Sequence, residues 1–268
     1  MQTLSLTTTH TLNNGVKMPA LGLGVYQMTD EQVAIAMKAA LEIGYRHFDT
    51  ASFYKNEEAV GKAVRESGIS REEMFITTKL WPTDYFWAEK ALAKSLKHLG
   101  LEYVDLYLLH WPTLGKGYAW KSLEKLYDQG LCKAIGVSNY SIKQLEALRK
   151  QARIVPAVNQ VEFSPFMYRS ELLAYCKENN IQLEAYSPLT RGKKLDDITI
   201  EEIAKKYGKT PAQIMIRWSL QHGNVVIPKS SSPTRIKENA DMFDFALEAQ
   251  DIIRLDELHQ NFRSLFSR

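Results

Sequence analysis

Four side chains that can move or stabilise a proton follow three neighbouring strand-like segments of the sequence. Asp49 and Tyr54 lie five positions apart after the first segment, Lys79 closes the second, and His110 closes the third. Each segment is short and rich in β-branched or aromatic residues, which is typical of a buried strand. If the strands are parallel, their carboxyl ends share one rim, and the four side chains meet there.

A phenol beside an ammonium ion makes a proton-donating site. Tyrosine ordinarily titrates at about 10, and a positive charge about 4 Å away favours the tyrosinate by up to about 4 kcal/mol at an effective dielectric constant of about 20. We therefore expect Lys79 to lower the pKa of Tyr54. We also expect Asp49 to hold Lys79 in an ion pair and His110 to orient the oxygen that receives the proton.

Each of the four residues has an ordinary structural interpretation when it is considered alone. A tyrosine often serves only in packing, a lysine often lies in solvent at the end of a strand, and a histidine in a loop often only completes local hydrogen bonds. Asp49-Thr50 is also typical of a helix cap. The shared position at strand ends favours the functional interpretation, because (β/α) barrels keep their chemistry at that rim.

The composition is that of an ordinary globular chain. Its 268 residues are 45% hydrophobic and 24% charged, which suffices for one large core, and we expect a single domain over residues 1–268. The net charge of +3 is too small to indicate a nucleic-acid partner. We expect a cytoplasmic protein with no membrane partner, because no apolar run can cross a bilayer, nothing resembles a secretory signal, and Cys132 and Cys176 form no C-x-x-C pair.

Strand-like and helix-like segments alternate along the chain. The turn Asn13-Asn14-Gly15 predicts an N-terminal hairpin, and eight buried strands follow, near residues 21–25, 47–51, 75–78, 103–110, 133–138, 157–161, 182–186 and 225–228. Helices between strands imply right-handed crossovers and a parallel sheet. This α/β pattern favours a closed (β/α)8 TIM barrel over an open doubly wound sheet, with an N-terminal β-hairpin and an extra C-terminal helix near residues 251–259.

The segment after the eighth strand predicts an anion site. Ser232-Pro233 is typical of a helix start, where free backbone N–H groups and the helix dipole attract an anion. Lys229, Ser230 and Arg235 add donors close to that point in the sequence. A phosphorylated cofactor is therefore expected at this helix, since barrels commonly hold phosphates after strands 7 and 8.

These motifs together resemble the aldo-keto reductase family over nearly the whole chain, and the chain is most similar to short bacterial members such as the diketogluconate reductases. The family's catalytic tetrad falls on Asp49, Tyr54, Lys79 and His110, and the motif around the first pair continues as Tyr54-Lys55-Asn56-Glu57-Glu58. The resemblance implies an oxidoreductase that reduces aldehydes and ketones to alcohols with NADPH, with Tyr54 as the general acid.

The resemblance also implies which residues hold the cofactor. Those that would bind the nicotinamide and the pyrophosphate are Ser138, Asn139, Gln160, Tyr186, Ser187 and Leu189. Those similar to the family's 2′-phosphate clamp and adenine contacts are Lys229, Ser230, Arg235, Glu238 and Asn239.

The substrate pocket is expected to have apolar walls, formed by Tyr26, Trp81 and Trp111. An apolar pocket discriminates poorly, since one methylene is worth only about 1–3 kcal/mol there. With the short tail after His259, the walls predict a broad range of small-molecule carbonyl substrates, among which activated aldehydes and α-dicarbonyls react fastest. We expect the enzyme to act as a monomer.

Two other classes of function fit parts of the sequence. A non-catalytic binding protein on the same barrel stays an alternative, because a fold alone does not define an activity. A metal-dependent hydrolase is disfavoured, because His47 and Asp49 alternate on one strand but no further ligand has fitting spacing. We therefore expect no metal.

Overall fold

A computed structural model of the chain, which describes residues 4–265, begins with a two-stranded hairpin. Strand β1 (Thr9–Thr11) pairs antiparallel with β2 (Lys17–Pro19). Leu12 N donates a hydrogen bond to Val16 O over 2.9 Å across the turn between them. The hairpin predicted from the Asn-Gly turn is confirmed.

Eight parallel strands follow and form the second sheet, in which each strand pairs with its neighbours in the sequence. They are β3 (Leu23–Gly24), β4 (His47–Asp49), β5 (Phe75–Leu80), β6 (Val104–Leu109), β7 (Cys132–Ser138), β8 (Val158–Glu162), β9 (Gln182–Tyr186) and β10 (Val225–Ile227).

Backbone hydrogen bonds join the first and last of these strands. Gly22 N donates to Val226 O over 2.9 Å, Val226 N donates to Ala20 O over 2.8 Å, and Gly24 N donates to Pro228 O over 3.2 Å. The sheet therefore curls into a barrel with almost no free edge, and the predicted (β/α)8 fold is confirmed.

Ten α-helices among residues 4–265 surround the strands. They are α1 (Asp30–Ile43), α2 (Glu57–Glu66), α3 (Ala88–Leu99), α4 (Lys116–Asp128), α5 (Ile142–Arg149), α6 (Ser170–Glu178), α7 (Ile198–Tyr207), α8 (Pro211–Gln221), α9 (Pro233–Ala240) and α10 (Ala249–Asp256). The last of these is the extra C-terminal helix that the sequence predicted. No helix within this part of the chain is long and apolar enough to cross a bilayer.

Local signals define the ends of several helices. Thr29 and Gln32 form a reciprocal capping box at the start of α1, and Gly44 ends that helix with a left-handed φ of 113°. Close packing adds a further constraint between α2 and α3, where a Cβ atom at Gly61 would lie 1.8 Å from Leu99 O. Only a glycine lets the two helices approach this closely.

Candidate active site

The four predicted catalytic side chains meet at the carboxyl rim of the barrel. Asp49 ends β4, Lys79 lies near the end of β5, and His110 directly follows β6. Tyr54 ends a short 3-10 helix, Ser52–Tyr54, and its ring lies 5.8 Å from the imidazole of His110 in an edge-on arrangement.

Lys79 is the centre of this group. Its fully buried ammonium donates to Asp49 Oδ1 over 2.6 Å, to the carbonyl oxygen of Thr50 over 2.8 Å, and to Tyr54 Oη over 3.4 Å. These three acceptors use all three donors of the ammonium group. The predicted Asp49–Lys79 ion pair is therefore present, and it lies against the tyrosine hydroxyl.

Three hydrogen bonds fix the loop that carries Tyr54. Ser52 Oγ donates to the carbonyl oxygen of Lys79 over 2.9 Å. Thr50 Oγ1 donates to Asn56 Oδ1 over 2.7 Å, and Asn56 Nδ2 in turn donates to Val25 O over 2.9 Å. Asn56 has a structural reason to occur here, because it ties the loop after β4 to the loop after β3.

The pKa of the Tyr54 phenol lies above the ordinary value for a tyrosine. The side chain is half-buried, and its hydroxyl lies beside the fully buried ammonium of Lys79. Burial raises the pKa of Tyr54 well above its ordinary value, and the negative charge of Asp49 adds to that rise. The pKa of Tyr54 is therefore raised overall, and not lowered as expected from Lys79 alone, because burial makes the largest contribution to the shift.

His110 is a neutral imidazole. Burial lowers its pKa well below the ordinary value, and the positive charge of Lys79 adds to this effect. The backbone carbonyl of His110 accepts a hydrogen bond from Asn139 Nδ2 over 3.2 Å. A neutral imidazole carries one N–H, so it can donate a hydrogen bond without adding positive charge to the site.

The residues expected around a nicotinamide form a connected cluster beside His110. Ser138 Oγ accepts from Asn139 Nδ2 over 3.0 Å and donates to the carbonyl oxygen of Gln160 over 2.9 Å. Asn139, which has a left-handed φ of 66°, accepts a hydrogen bond from Tyr186 Oη over 2.9 Å. The structure therefore brings Ser138, Asn139, Gln160 and Tyr186 together.

Gln160 differs from the others, because its side chain points into the barrel. It lies in the middle of β8, and its Nε2 atom donates to Asp49 Oδ2 and to Glu184 Oε2, each over 2.8 Å. Glu184 was not singled out from the sequence. The signal that could have found it is a carboxyl group between two apolar residues, Leu183 and Ala185, in the middle of a predicted strand.

The loop after β9 carries Ser187 and Leu189. Ser187, Thr190 and Arg191 all have positive φ values, of 49°, 50° and 58°. Arg191, another residue that sequence reasoning missed, donates from a guanidinium nitrogen to Gln27 Oε1 over 2.7 Å. This contact links the loop after β9 to the loop after β3.

Positive charge gathers at the start of α9. Ser232 caps this helix by accepting from Arg235 N, and Ser230 Oγ accepts from Ser232 N over 3.2 Å. Lys229 precedes the helix, and burial together with the positive charge of Arg191 lowers its pKa. Within residues 4–265, none of these three cations forms an ion pair with a carboxylate.

The two residues expected at an adenine lie further along α9. Asn239 is buried, with 3% of its surface exposed. The carboxylate of Glu238 accepts a hydrogen bond from Thr210 Oγ1 over 2.7 Å and so holds the start of α8. Glu238 therefore has a structural partner of its own.

Aromatic side chains surround the tetrad. The ring of Tyr26 lies 4.8 Å from that of Tyr54, and the ring of Trp81 lies 5.1 Å from that of His110. Phe53, which the sequence did not single out, is stacked on Trp81 at 3.9 Å. The backbone of Trp111 is held by hydrogen bonds with the Tyr85 hydroxyl.

The described residues 4–265 contain no group of three or more His, Cys, Asp or Glu side chains that could hold a metal ion.

An eight-stranded barrel whose rim carries a tyrosine, a lysine, an aspartate and a histidine defines an oxidoreductase that acts on carbonyl or alcohol groups. Residues 18–260 match the sequence profile of the Aldo/keto reductase family, and the chain belongs to that family.

Relatives of known name cover almost the whole chain. Glyoxal reductase of Bacillus subtilis (strain 168) is 50% identical over 263 residues, which span 97% of this chain and 95% of that protein. Methylglyoxal reductase DkgA of Escherichia coli (strain K12) is 48% identical over 257 residues, 94% of each protein. The resemblance to short bacterial members of the family is confirmed.

Solved structures agree with the fold. One of them is MGS-M4, an aldo-keto reductase enzyme from a Medee basin deep-sea metagenome library. It is 46% identical to this chain, the match covers 96% of each of the two chains, and the TM-score is 0.93. The aldo/keto reductase from Brucella melitensis is also 46% identical and has a TM-score of 0.91.

Proposed function

We propose that this chain is an NADPH-dependent reductase of small aldehydes and ketones, with a broad substrate range that favours α-dicarbonyls, and that Tyr54 is its general acid. The observation that carries the proposal is the contact of 3.4 Å between Lys79 Nζ and Tyr54 Oη, above the Asp49–Lys79 pair. The relatives named glyoxal reductase and methylglyoxal reductase support the substrate class.

The phenol of Tyr54 is protonated at neutral pH and so can donate a proton, and its raised pKa means that the developing tyrosinate needs stabilisation. As the proton leaves, negative charge develops on the phenolic oxygen, and the Lys79 ammonium stabilises it from 3.4 Å. Asp49 holds the ammonium in place. His110, as a neutral imidazole, orients the substrate oxygen by donating one hydrogen bond.

When bound, a reduced nicotinamide supplies the hydride for the carbonyl carbon. Asn139 and Ser138 offer amide and hydroxyl groups to its carboxamide, and Tyr186 offers a ring face. Gln160 has its Oε1 atom left for this task, because both hydrogens of Nε2 are used by the carboxyl groups of Asp49 and Glu184. Ser187 and Leu189 lie along the proposed pyrophosphate path.

The cluster at α9 fits a phosphate group. Lys229, Arg235 and Arg191 are cations without carboxylate partners among the described residues, and the free N–H groups of α9 lie beside them. A 2′-phosphate would supply the missing negative charge, which supports NADPH over NADH. Ser230 lies at the same point, and Glu238 and Asn239 would face the adenine.

The substrate would lie between Tyr26, Trp81 and Trp111, over Tyr54 and His110. Phe53 extends this wall through its stacking on Trp81. These are apolar surfaces that offer few fixed hydrogen bonds, so the reactivity of the carbonyl group should govern the rate. The single domain over residues 1–268, the monomeric state and the cytoplasmic location stay predictions.

The test is the consumption of NADPH, followed by absorbance, with methylglyoxal as substrate. Tyr54→Phe should lower kcat by about a hundred-fold to ten-thousand-fold, the usual contribution of a general acid, while the dissociation constant of NADPH stays within a few-fold. Tyr175→Phe is the matched control, since Tyr175 accepts a hydrogen bond from Arg149 on α5 and lies on α6. It should behave as the wild type does.

Two results would contradict the proposal. A Tyr54→Phe variant with nearly the kcat of the wild type would remove Tyr54 from the role of acid. A wild-type protein that binds NADPH but reduces no aldehyde or dicarbonyl in a panel would favour the non-catalytic binding protein instead.

A further inference from the structure

A second carboxyl group lies inside the barrel, directly beneath the Asp49–Lys79 pair. It belongs to Glu184 in the middle of β9, and none of its surface is exposed. Gln160 Nε2 donates to Glu184 Oε2 and to Asp49 Oδ2, each over 2.8 Å. One amide group therefore bridges the two acidic side chains.

The other carboxyl oxygen of Glu184 faces a histidine. Glu184 Oε1 lies 3.4 Å from His47 Nε2, and it accepts no hydrogen bond from any of residues 4–265. Burial lowers the pKa of His47 to about 3, so its imidazole is neutral. The polar partner of His47 Nε2 is Thr77 Oγ1, over 3.5 Å, so the imidazole does not satisfy this oxygen. An ionised carboxyl oxygen without a donor is costly inside a protein, and the neutral form of Glu184 avoids that cost.

We infer that Glu184 is a positioning residue that carries a proton in the active enzyme, so that Asp49 and Lys79 form a neutral pair beneath the reacting tyrosine. The inference rests on the proposed function of Tyr54 as the general acid. Loss of the Glu184 proton would place an unpaired negative charge inside the barrel, close to the oxygen that must become a tyrosinate.

The surroundings of Glu184 support this assignment. The titratable groups that face it are His47 and Asp49 on β4, Lys79 on β5 and Tyr54 in the loop that follows β4. The neighbouring strand β10 has the sequence Val-Val-Ile and offers no titratable group. Burial raises the pKa of Glu184 to about 8 and Asp49 adds to this rise, while the Gln160 hydrogen bond and Lys79 oppose it.

The consequence is a dependence of the reduction rate on pH. When the pH rises above the pKa of Glu184, the charge of the group formed by Glu184, Asp49 and Lys79 changes from zero to minus one. The added negative charge disfavours tyrosinate and slows the transfer of the Tyr54 proton. At one pH unit above that pKa, only about a tenth of the molecules keep the proton.

The test is the pH dependence of kcat/KM for methylglyoxal reduction with NADPH. In the wild type, kcat/KM should fall above about pH 8. In Glu184→Gln this fall should be absent, because the amide has the same shape as the carboxyl group but cannot ionise. When kcat/KM of each protein is divided by its own value at neutral pH, the variant should exceed the wild type about ten-fold at one pH unit above the pKa of Glu184.

Glu124→Gln is the matched control. Glu124 is also a buried glutamate, on α4, and it accepts hydrogen bonds from Arg153 N and Ile154 N over 2.7 and 2.8 Å. This variant should keep the alkaline fall of the wild type. An alkaline fall that is equal in Glu184→Gln and in the wild type would overturn the inference.

A measurement on the wild type does not depend on the folding of a variant. Infrared difference spectra of protein grown with unlabelled and with carboxyl-13C glutamate should show the carbonyl band of one protonated glutamic acid at pH 7, which disappears as the pH rises through about 8. The absence of such a band at pH 7 would overturn the inference while the proposed function stood. A wild-type protein that reduces no carbonyl would overturn both.

Discussion

Replacement of Lys79 by methionine tests the buried ion pair on which the site depends. Lys79→Met keeps most of the side-chain length but removes the ammonium, so three hydrogen bonds are lost, to Asp49, to Thr50 O and to Tyr54. Asp49 is then a buried carboxylate, 3% exposed, that keeps Gln160 as its one side-chain donor among residues 4–265.

The expected loss of stability is about 3–5 kcal/mol, the usual cost of removing one partner of a buried ion pair. This is a large part of the about 5–15 kcal/mol that ordinary proteins have in total. The lone carboxylate can relieve the penalty by taking up a proton, which becomes less favourable by about 1.4 kcal/mol for each pH unit. The loss should therefore be smaller at pH 5 than at pH 8.

The double variant Asp49→Asn/Lys79→Met separates this charge effect from the loss of packing. Asparagine is uncharged, and its Oδ1 atom can still accept from Gln160 Nε2. Because no charge is left unpaired, the double variant should be more stable than Lys79→Met at pH 8. Both variants should lose carbonyl reduction, since neither has the ammonium beside Tyr54.

The assay is urea unfolding at pH 5 and at pH 8, followed by tryptophan fluorescence and fitted with a linear dependence on urea. A Lys79→Met variant within about 1 kcal/mol of the wild type at pH 8 would refute the reasoning, because so small a loss fits a solvent-screened surface pair. A double variant no more stable than Lys79→Met would attribute the loss to packing instead.

The meeting of Asp49, Tyr54, Lys79 and His110 could be predicted from the sequence because three of them close a strand-like segment and Tyr54 follows Asp49 by five positions. The predicted parallel barrel places such ends on one rim, although Asp49 and Lys79 are 30 residues apart. Short-range signals also predicted the hairpin at Asn14-Gly15 and the helix start at Ser232-Pro233. These features depend on a few adjacent residues, so they can be seen without knowledge of the fold.

The interior network beneath the rim could not be predicted in the same way. Gln160 bonds to Asp49 across 111 positions of the chain, and Arg191 bonds to Gln27 across 164. Such contacts depend on which side of each strand faces the barrel axis and on the register of distant strands. A one-residue change in register would have turned Gln160 away from both carboxyl groups.

The error in the pKa of Tyr54 has the same origin. The sequence indicated a lysine near a tyrosine, and this pair alone favours the tyrosinate. The structure adds burial, together with the negative charge of Asp49 beside Lys79, and burial is the largest contribution. The sign of a pKa shift therefore depends on the whole surroundings of a group, which a motif does not contain.

Two further predictions concern the cofactor and the packing of the barrel. Arg235→Ala should weaken NADPH binding by roughly ten-fold to a hundred-fold, because charge-assisted hydrogen bonds contribute about 1.5–3 kcal/mol. It should change NADH binding little, since NADH has no 2′-phosphate. Equal weakening of both cofactors in a fluorescence titration would place Arg235 outside the phosphate site. Gly61→Ala should lower the free energy of unfolding by about 1–3 kcal/mol, since the new Cβ would lie 1.8 Å from Leu99 O and force α2 away from α3. Gly117→Ala in α4 is the control, because its Cβ would meet only the Gln151 side chain at 3.5 Å, an ordinary contact. If the two variants unfolded at the same urea concentration, the close approach of α2 and α3 would not be what requires a glycine at position 61.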